Sequence, residues 1–326
     1  MPRSIPVDKT DSPALLTVMG GGYDPKEDSN GSDNIGNAVF IINGRTGALV
    51  KRIDTDYSVP SEITLVDTNR DGRPDRLYFA DVRGNLYRIT VPASGDLVSS
   101  TTWSSATATK IAVLEGRVFY RPDVVVTKGF AAIMVGTGDR EKPMLKVTSD
   151  RFFLVKDPLL TPITTPLSLT DLTKIATVNN ATMVPEPTTG STVNANGCYI
   201  QLATNGEKVI NAPLTVSGIT YFGTNRPAPE NRNICVGNLG QGFAYQFPLF
   251  CGVPLKPTEI LGGGMIPSPV AGVVLLTSTE NGVTTTTKQP FLIGGAGPSP
   301  LTVTDPKPFV PPKRRPIYWR INNNNR

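Results

Sequence analysis

Short runs of β-branched and aromatic residues, each closed by turn-forming residues, recur along most of this chain and constrain its fold more than any other feature. Ala14–Met19, Ala38–Asn43, Ile63–Val66, Arg76–Ala80, Asn85–Val91, Asp123–Thr127, Ala131–Gly136, Phe152–Val155, Gly218–Phe222, Gly242–Phe247, Gly272–Leu276 and Pro290–Ile293 have this character. Gly, Asn, Asp or Pro bounds most of them, as strands joined by tight turns require. Only Leu167–Ala176 reads as a helix, and a short one. The balance of residues agrees: 31 Gly and 30 Pro are many, and 18% charged residues are few, against the ~25% typical of globular chains. With 39% of its 326 residues hydrophobic, an all-β chain of this length has material for a sizeable core.

Two segments repeat one unit. Asn37–Val50 is a strand, an Asn-Gly-x-Thr-Gly turn and a strand. Arg76–Ile89 is a strand, an Asp-x-x-Gly-Asn turn and a strand. Gly136-Thr-Gly-Asp139 and Phe222-Gly-Thr-Asn225 carry further strand-to-glycine turns. Loose repeats of this size, each a small antiparallel sheet, point to an irregular β-propeller in preference to a β-sandwich with long loops. The Thr- and Pro-rich stretch 161–187 and the Thr-rich stretch 276–288 read as excursions between blades, because β patterning resumes after each. The expected organisation is a single domain over 1–320 with a disordered tail at 321–326, which holds Asn322–Asn325.

Composition also excludes functions. The chain has no histidine, which removes the commonest general base and transition-metal ligand. Zinc hydrolysis and Ser-His-Asp or Cys-His catalysis are therefore disfavoured. The net charge of +5 owes part of its excess to Lys313, Arg314, Arg315, Arg320 and Arg326. Without a basic helix or a basic–aromatic repeat, this is a solubilising end and no nucleic-acid interface. Three cysteines, Cys198, Cys235 and Cys251, are too few for a disulfide framework. Cys235 and Cys251 can pair in an oxidising compartment with Cys198 left over, although spacing does not set the Cα separation. The opening Met-Pro-Arg-Ser-Ile-Pro lacks the apolar stretch of a secretory leader. An extracellular chain of this kind is expected to be a piece of a longer one or to have lost its export signal. No apolar run approaches the roughly 18 residues of a membrane-spanning helix.

The most specific chemistry lies in Asp67-Thr-Asn69-Arg-Asp71-Gly72-Arg73-Pro-Asp75. Acidic and amide side chains at alternate positions turn inward together as a loop winds round a hard cation. Calcium takes six to eight such oxygens. Gly72 sits at the sharp turn, Arg73 offers its carbonyl oxygen, and Asp75 closes the shell directly or through water. An EF-hand places a bidentate Glu at the twelfth loop position, which here is Tyr78, and both flanks read as strands. The expectation is an EF-hand-like calcium loop in a hairpin. Three carboxylates so close repel one another without a cation, so loop closure and calcium binding are expected to be coupled.

A second acidic stretch, Gly20–Asp33, carries Asp24, Glu27, Asp28 and Asp33 at irregular spacing and reads as a solvated surface loop. Its glycine run lacks the Lys-Ser/Thr of a phosphate-binding loop. Tyr23, Tyr87, Phe152, Phe153, Tyr221 and Tyr245 fall on or beside strand patterns and read as core.

Taken in order, these segments resemble the C-terminal β-propeller of the PilY/PilC family of type IV pilus biogenesis factors and tip-associated adhesins. The resemblance runs through Gly20-Gly-Gly-Tyr-Asp24, the Thr-Gly-Ala-Leu of 46–49, and the calcium loop with Leu77–Arg88. It continues through Phe119–Pro122, Gly136–Glu141, Asp150–Asp157, Leu169–Leu172, Gly197–Ile200, Gly206–Val209, Tyr221–Thr224, Pro267–Pro269 and Arg314–Arg320. It implies a seven-bladed irregular propeller and calcium held by Asp67, Asn69, Asp71, Asp75 and the Arg73 carbonyl. It also implies that calcium occupancy governs pilus extension against retraction, in a protein at the pilus tip, outer surface or periplasm. The implied partners are pilin or minor pilins and a host or abiotic surface, with roles in adhesion, twitching motility and surface sensing. Three departures stand out. The chain starts well inside the usual propeller, so a partner segment or a remodelled ring is needed to close it. Position 198 is Cys where the family generally has Trp, which makes Cys198 a poor disulfide partner. The strand ending at Val50-Lys51 lacks its usual aromatic.

Two other functions compete with a pilus module. A lectin-like propeller binding carbohydrate or matrix shares the fold. A quinone-dependent dehydrogenase also combines a propeller with calcium. That enzyme class places its ion on the central axis against the cofactor, whereas consecutive ligands in one loop saturate the ion locally. Trp103 and Trp319, the only tryptophans, do not supply the usual floor for a flat cofactor. The expectation is a binding module and no enzyme.

Overall fold

A computed structural model describes residues 3–6, 15–29, 31, 35–147, 149–179, 182–186, 195–203, 205–227, 240–260, 264–280 and 283–293. The expected tail at 321–326, the basic end, the 314–320 segment and Cys235 lie outside them. Among the described residues the regular structure is all β, apart from two 3-10 turns at Pro25–Ser29 and Leu169–Asp171. No helix among them is long and apolar enough to cross a membrane.

The strands form sheets in the order of the chain. β1 (Arg3–Pro6), β2 (Leu15–Gly20), β3 (Ala38–Asn43) and β4 (Leu49–Asp54) make a first sheet, each strand beside the next. β5 (Thr64–Val66), β6 (Arg76–Ala80), β7 (Asn85–Thr90) and β8 (Thr109–Val113) make a second in the same way. The third holds β9 (Asp123–Val126), β10 (Phe130–Gly136), β11 (Arg151–Pro158), β12 (Thr173–Asn179), β13 (Thr182–Pro185) and β14 (Gly197–Gln201). There β14 inserts between β11 and β12 and runs parallel to β12. β15 (Lys208–Val209), β16 (Leu214–Val216), β17 (Ile219–Arg226), β18 (Gln241–Pro248) and β19 (Thr258–Ile260) make a fourth. β20 (Val270–Glu280) and β21 (Val283–Ile293) pair only with each other among the described strands.

Turn chemistry fixes the hairpins. Between β3 and β4 the Asn43 carboxamide oxygen accepts the amides of Arg45 and Thr46, and the Asn43 carbonyl accepts that of Gly47. Between β6 and β7 the Asp81 carboxylate accepts the amides of Arg83 and Asn85. Side chains thus replace main-chain partners in both turns. Gly84 is required at φ +82°, where a Cβ would lie 2.3 Å from the Gly116 carbonyl oxygen.

The core is layered between successive sheets. Leu16, Val18, Val39 and Ile41 of the first sheet meet Leu77, Phe79, Tyr87 and Ile89 of the second. The opposite side of the second sheet, with Tyr78, Ala80 and Leu86, meets Ala131, Ile133, Phe153 and Val155 of the third. The far side of the third, with Met134, Phe152 and Leu154, meets Phe222, Phe243, Tyr245 and Phe247 of the fourth. The second and third sheets are thus covered on both faces. This is why β6 and most of β10 are buried without alternation, as expected of a doubly covered strand.

Four expectations are corrected. Leu167–Ala176 is one 3-10 turn followed by β12, because Thr173, Ile175, Thr177 and Val178 are β-branched and favour extended over helical backbone. The 276–288 stretch, read as an excursion, belongs to the β20–β21 hairpin, and the described part of 161–187 contributes β12 and β13 to the third sheet. Cys198 is a disulfide partner after all: it bonds Cys251, joining β14 to the end of β18 inside the layer that holds Phe152 and Phe247. The stretch after Gly20 is not simply solvated, since Asp24 and Glu27 are buried. Glu27 can sink because Arg83 Nε reaches its carboxylate at 3.0 Å and Arg117 approaches to 3.9 Å. Asp33 lies outside the described residues. Of the aromatics read as core, Tyr87, Phe152, Phe153 and Tyr245 are buried, whereas Tyr23 and Tyr221 are half-buried.

Candidate metal centre

β5 and β6 pair from Thr64–Tyr78 to Val66–Arg76, so residues 67–75 are the whole connection between them. A connection this long needs internal partners, and its own side chains supply them. Asp67 Oδ1 accepts the amides of Arg70 at 2.6 Å and Asp71 at 3.3 Å, and its Oδ2 accepts that of Gly72 at 2.8 Å. Asn69 Oδ1 accepts the Asp71 amide at 2.9 Å, and Asp71 Oδ1 accepts the Arg73 amide at 2.8 Å. Asn69 Nδ2 also reaches Asp71 Oδ2, at 3.4 Å. Two left-handed residues wind the loop: Arg70 at φ 63° and Gly72 at φ 92°. Gly72 takes that conformation freely. Arg70 bears a cost of roughly 1–2 kcal/mol, offset by its short bond to Asp67.

Asp75 closes the loop from the far side. Its Oδ2 accepts the Thr68 amide at 3.1 Å, the Thr68 hydroxyl at 2.7 Å and the Asn69 amide at 3.3 Å. Its main chain stays in the sheet, donating to the Val66 carbonyl and accepting from the Val91 amide. The other carboxylate oxygen, Oδ1, is buried without a hydrogen-bond partner.

Sequence and structure therefore place Asp67, Asn69, Asp71, Arg73 and Asp75 in one loop, with every acidic or amide side chain turned onto it. The donor set is all oxygen, as a hard cation wants, and Asp75 Oδ1 is an acceptor still open. The loop amides engage Asp67 and Asp71, and among the described residues no three acidic or cysteine side chains converge into a finished metal cage. The residues fit a calcium ion by type and by the orphaned oxygen.

Tyr78, at the twelfth position, points away from the loop into a network that sequence reasoning missed. Its hydroxyl donates to Asp157 Oδ2 of β11 at 2.7 Å. Arg76 Nη1 reaches the same oxygen at 3.2 Å, and Arg88 Nη1 lies 2.8 Å and 2.9 Å from the two oxygens of Asp157. Asp157 is fully buried, and both arginines are nearly so. Burial, and then the Asp157 charge, push the Tyr78 phenol well above its ordinary range. The available signal was charge placed inside apolar runs, Arg76 and Arg88 in strands that are otherwise core. A buried guanidinium demands an acid partner, but the sequence does not name which one.

Comparison with known proteins finds similarity among solved structures. No protein-family model and no curated protein matches the chain. Among solved structures, the crystal structure of the Pseudomonas aeruginosa PilY1 C-terminal domain matches with a TM-score of 0.60 and 17% sequence identity, over 90% of this chain and 70% of that one. At that identity the likeness establishes a shared fold.

Proposed function

We propose that this chain is a calcium-binding module of a type IV pilus biogenesis or adhesion protein, its sheets serving as blades of an irregular propeller within one domain over 1–320. The observation that carries the reading is the closed loop 67–75 on the fold of the PilY1 C-terminal domain, with the Asp75 Oδ1 acceptor still open. Asp67, Asn69, Asp71 and Asp75 would hold the ion, with the Arg73 carbonyl completing the set. The bound cation would neutralise three neighbouring carboxylates and so favour the closed loop. Asp67 and Asp71 turn the loop, Asp75 ties it to β6, and Gly72 supplies the left-handed bend. In this reading calcium occupancy supports pilus extension, surface adhesion and twitching motility, with pilin or minor pilins as partners and a host or abiotic surface as ligand. The Cys198–Cys251 bond accords with an oxidising, extracytoplasmic location. Binding, not catalysis, is the proposed role.

Calorimetric titration of calcium into chelator-stripped protein tests the site. One site is expected, absent in Asp71→Ala, and wild-type stability should rise by about 2.7 kcal/mol at a hundredfold excess of calcium over Kd. Wild-type protein that takes up no calcium, or Asp71→Ala and Asp75→Ala variants of native affinity, would refute the assignment.

A further inference from the structure

Asp75 and Arg76 are consecutive, yet they serve different structures. Asp75 holds the loop through Thr68 and Asn69. Arg76 leaves the opposite side of the same strand and enters the buried network around Asp157. That network also grips the segment after β11. Arg76 Nη2 donates to the Leu159 carbonyl at 3.0 Å, and Arg88 Nη2 donates to the Ile163 carbonyl at 3.1 Å. The Ile163 amide donates back to Asp157 Oδ1 at 3.2 Å. Ile163 is therefore held at both its amide and its carbonyl by groups that depend on where β6 and β7 place their guanidiniums. Between these anchors the segment is outside the core: Leu160 is 94% exposed. Its two ends are fixed separately, by the Leu159 amide on the Gly129 carbonyl and the Leu167 amide on the Ile111 carbonyl.

Resting on the calcium reading of the loop, we propose that residues 159–166 are a calcium-responsive surface segment, coupled to the loop through Asp75, Arg76 and Asp157. A cation drawn to Asp75 fixes the start of β6. The adjoining Arg76 is then held against Asp157 and Leu159, and the Ile163 peptide is pinned by the same carboxylate and by Arg88. Without that restraint the loop end of β6 is held less firmly, and the segment loses part of the order that Arg76 supplies at the Leu159 carbonyl and at Asp157. The chain thus carries a path from an ion site in one sheet to an exposed apolar residue beside the next.

Hydrogen exchange at the Ile163 amide, with chelator and with saturating calcium, tests this, beside calorimetry on the same samples. Calcium is expected to slow exchange at Ile163 at least about fivefold, within the ordinary span of coupling between sites. A peptide from the 93–102 connection, outside the path, should stay unchanged. Arg76→Met is expected to bind calcium but to lose the slowing. Should that variant fail to fold, Arg76→Lys, which keeps charge without the forked contact, reads the same step. Calcium binding with no change at Ile163 overturns the coupling and leaves the ion site standing, as does equal slowing in the arginine variant. No calcium binding at all overturns both.

Discussion

Replacing Cys198 and Cys251 together by alanine removes the covalent link between β14 and the end of β18. The bond closes a loop of 53 residues, and in the chain-entropy account that restricts the unfolded chain by ~14 cal/mol/K, or about 4 kcal/mol at 25 °C. Both sulfurs lie in the layer with Phe152, Phe222 and Phe247, so lost packing adds to the entropic term. For 326 residues unfolding as one unit, an unfolding entropy of about 2.1 cal/mol/K per residue makes this a fall of ~6 °C in Tm. Guanidinium denaturation of wild type and double variant measures it directly. Reductant in native buffer should leave the wild type unchanged, because Cys198 is fully buried and Cys251 nearly so, whereas reductant in denaturant should bring its refolding midpoint to that of the variant. Peptide mapping without reduction should recover the 198 and 251 peptides linked. A loss below about 1 kcal/mol would refute the reasoning, since it would show that the cross-link does not restrict the unfolded chain.

Asp157→Ala strands two buried guanidiniums and should cost about 3–5 kcal/mol, read as a lower denaturant midpoint. Gly84→Ala forces a side chain into the left-handed region and onto the Gly116 carbonyl oxygen, and a loss of at least about 2 kcal/mol is expected in the same assay. Burial, reinforced by Asp157, Asp81 and Glu207 respectively, raises the phenols of Tyr78, Tyr87 and Tyr245. The folded protein keeps these protons where the unfolded chain releases them. Their contribution is therefore complete below the unfolded value of about 10 and is lost as pH rises beyond it. Absorbance at the tyrosinate band should show these three ionising only together with loss of structure.

The strands legible in the sequence carry apolar or β-branched runs closed by turn residues: β2, β3, β5, β6, β7, β9, β10, β11, β17 and β18, with parts of β4, β20 and β21. The ones that escaped are short or polar. β8, Thr-Lys-Ile-Ala-Val, has no turn signal before it, and β13 is mostly exposed. β12 was hidden by the spacing of Leu169, Leu172 and Ile175, which imitates a helix until the β-branched residues are weighed. The closed loop 67–75 was legible because all its acidic and amide side chains are local, at alternate positions within nine residues. The Asp157 network was not, because its members lie up to 81 positions apart and only the fold brings them together. The disulfide failed for the same reason: nothing local distinguishes Cys198 from Cys235 as a partner for Cys251.

β6 shows why the loop and the core cannot be treated as separate modules. Leu77 and Phe79 point to the first sheet and Tyr78 and Ala80 to the third, while Arg76 lies next to the loop-closing Asp75. Because strand side chains alternate with a period of two, a one-residue slip would exchange the two sets. Arg76 would then carry an unpaired charge into an apolar layer, and Leu77 would face Asp157, leaving that carboxylate with Arg88 as its remaining guanidinium. The register of β6 is therefore fixed from its core side, and the position of Asp75 follows from it. One added residue between Arg70 and Arg73 would change the loop alone, whereas one added between Arg76 and Ala80 would disrupt the loop closure, both apolar layers and the ion network at once.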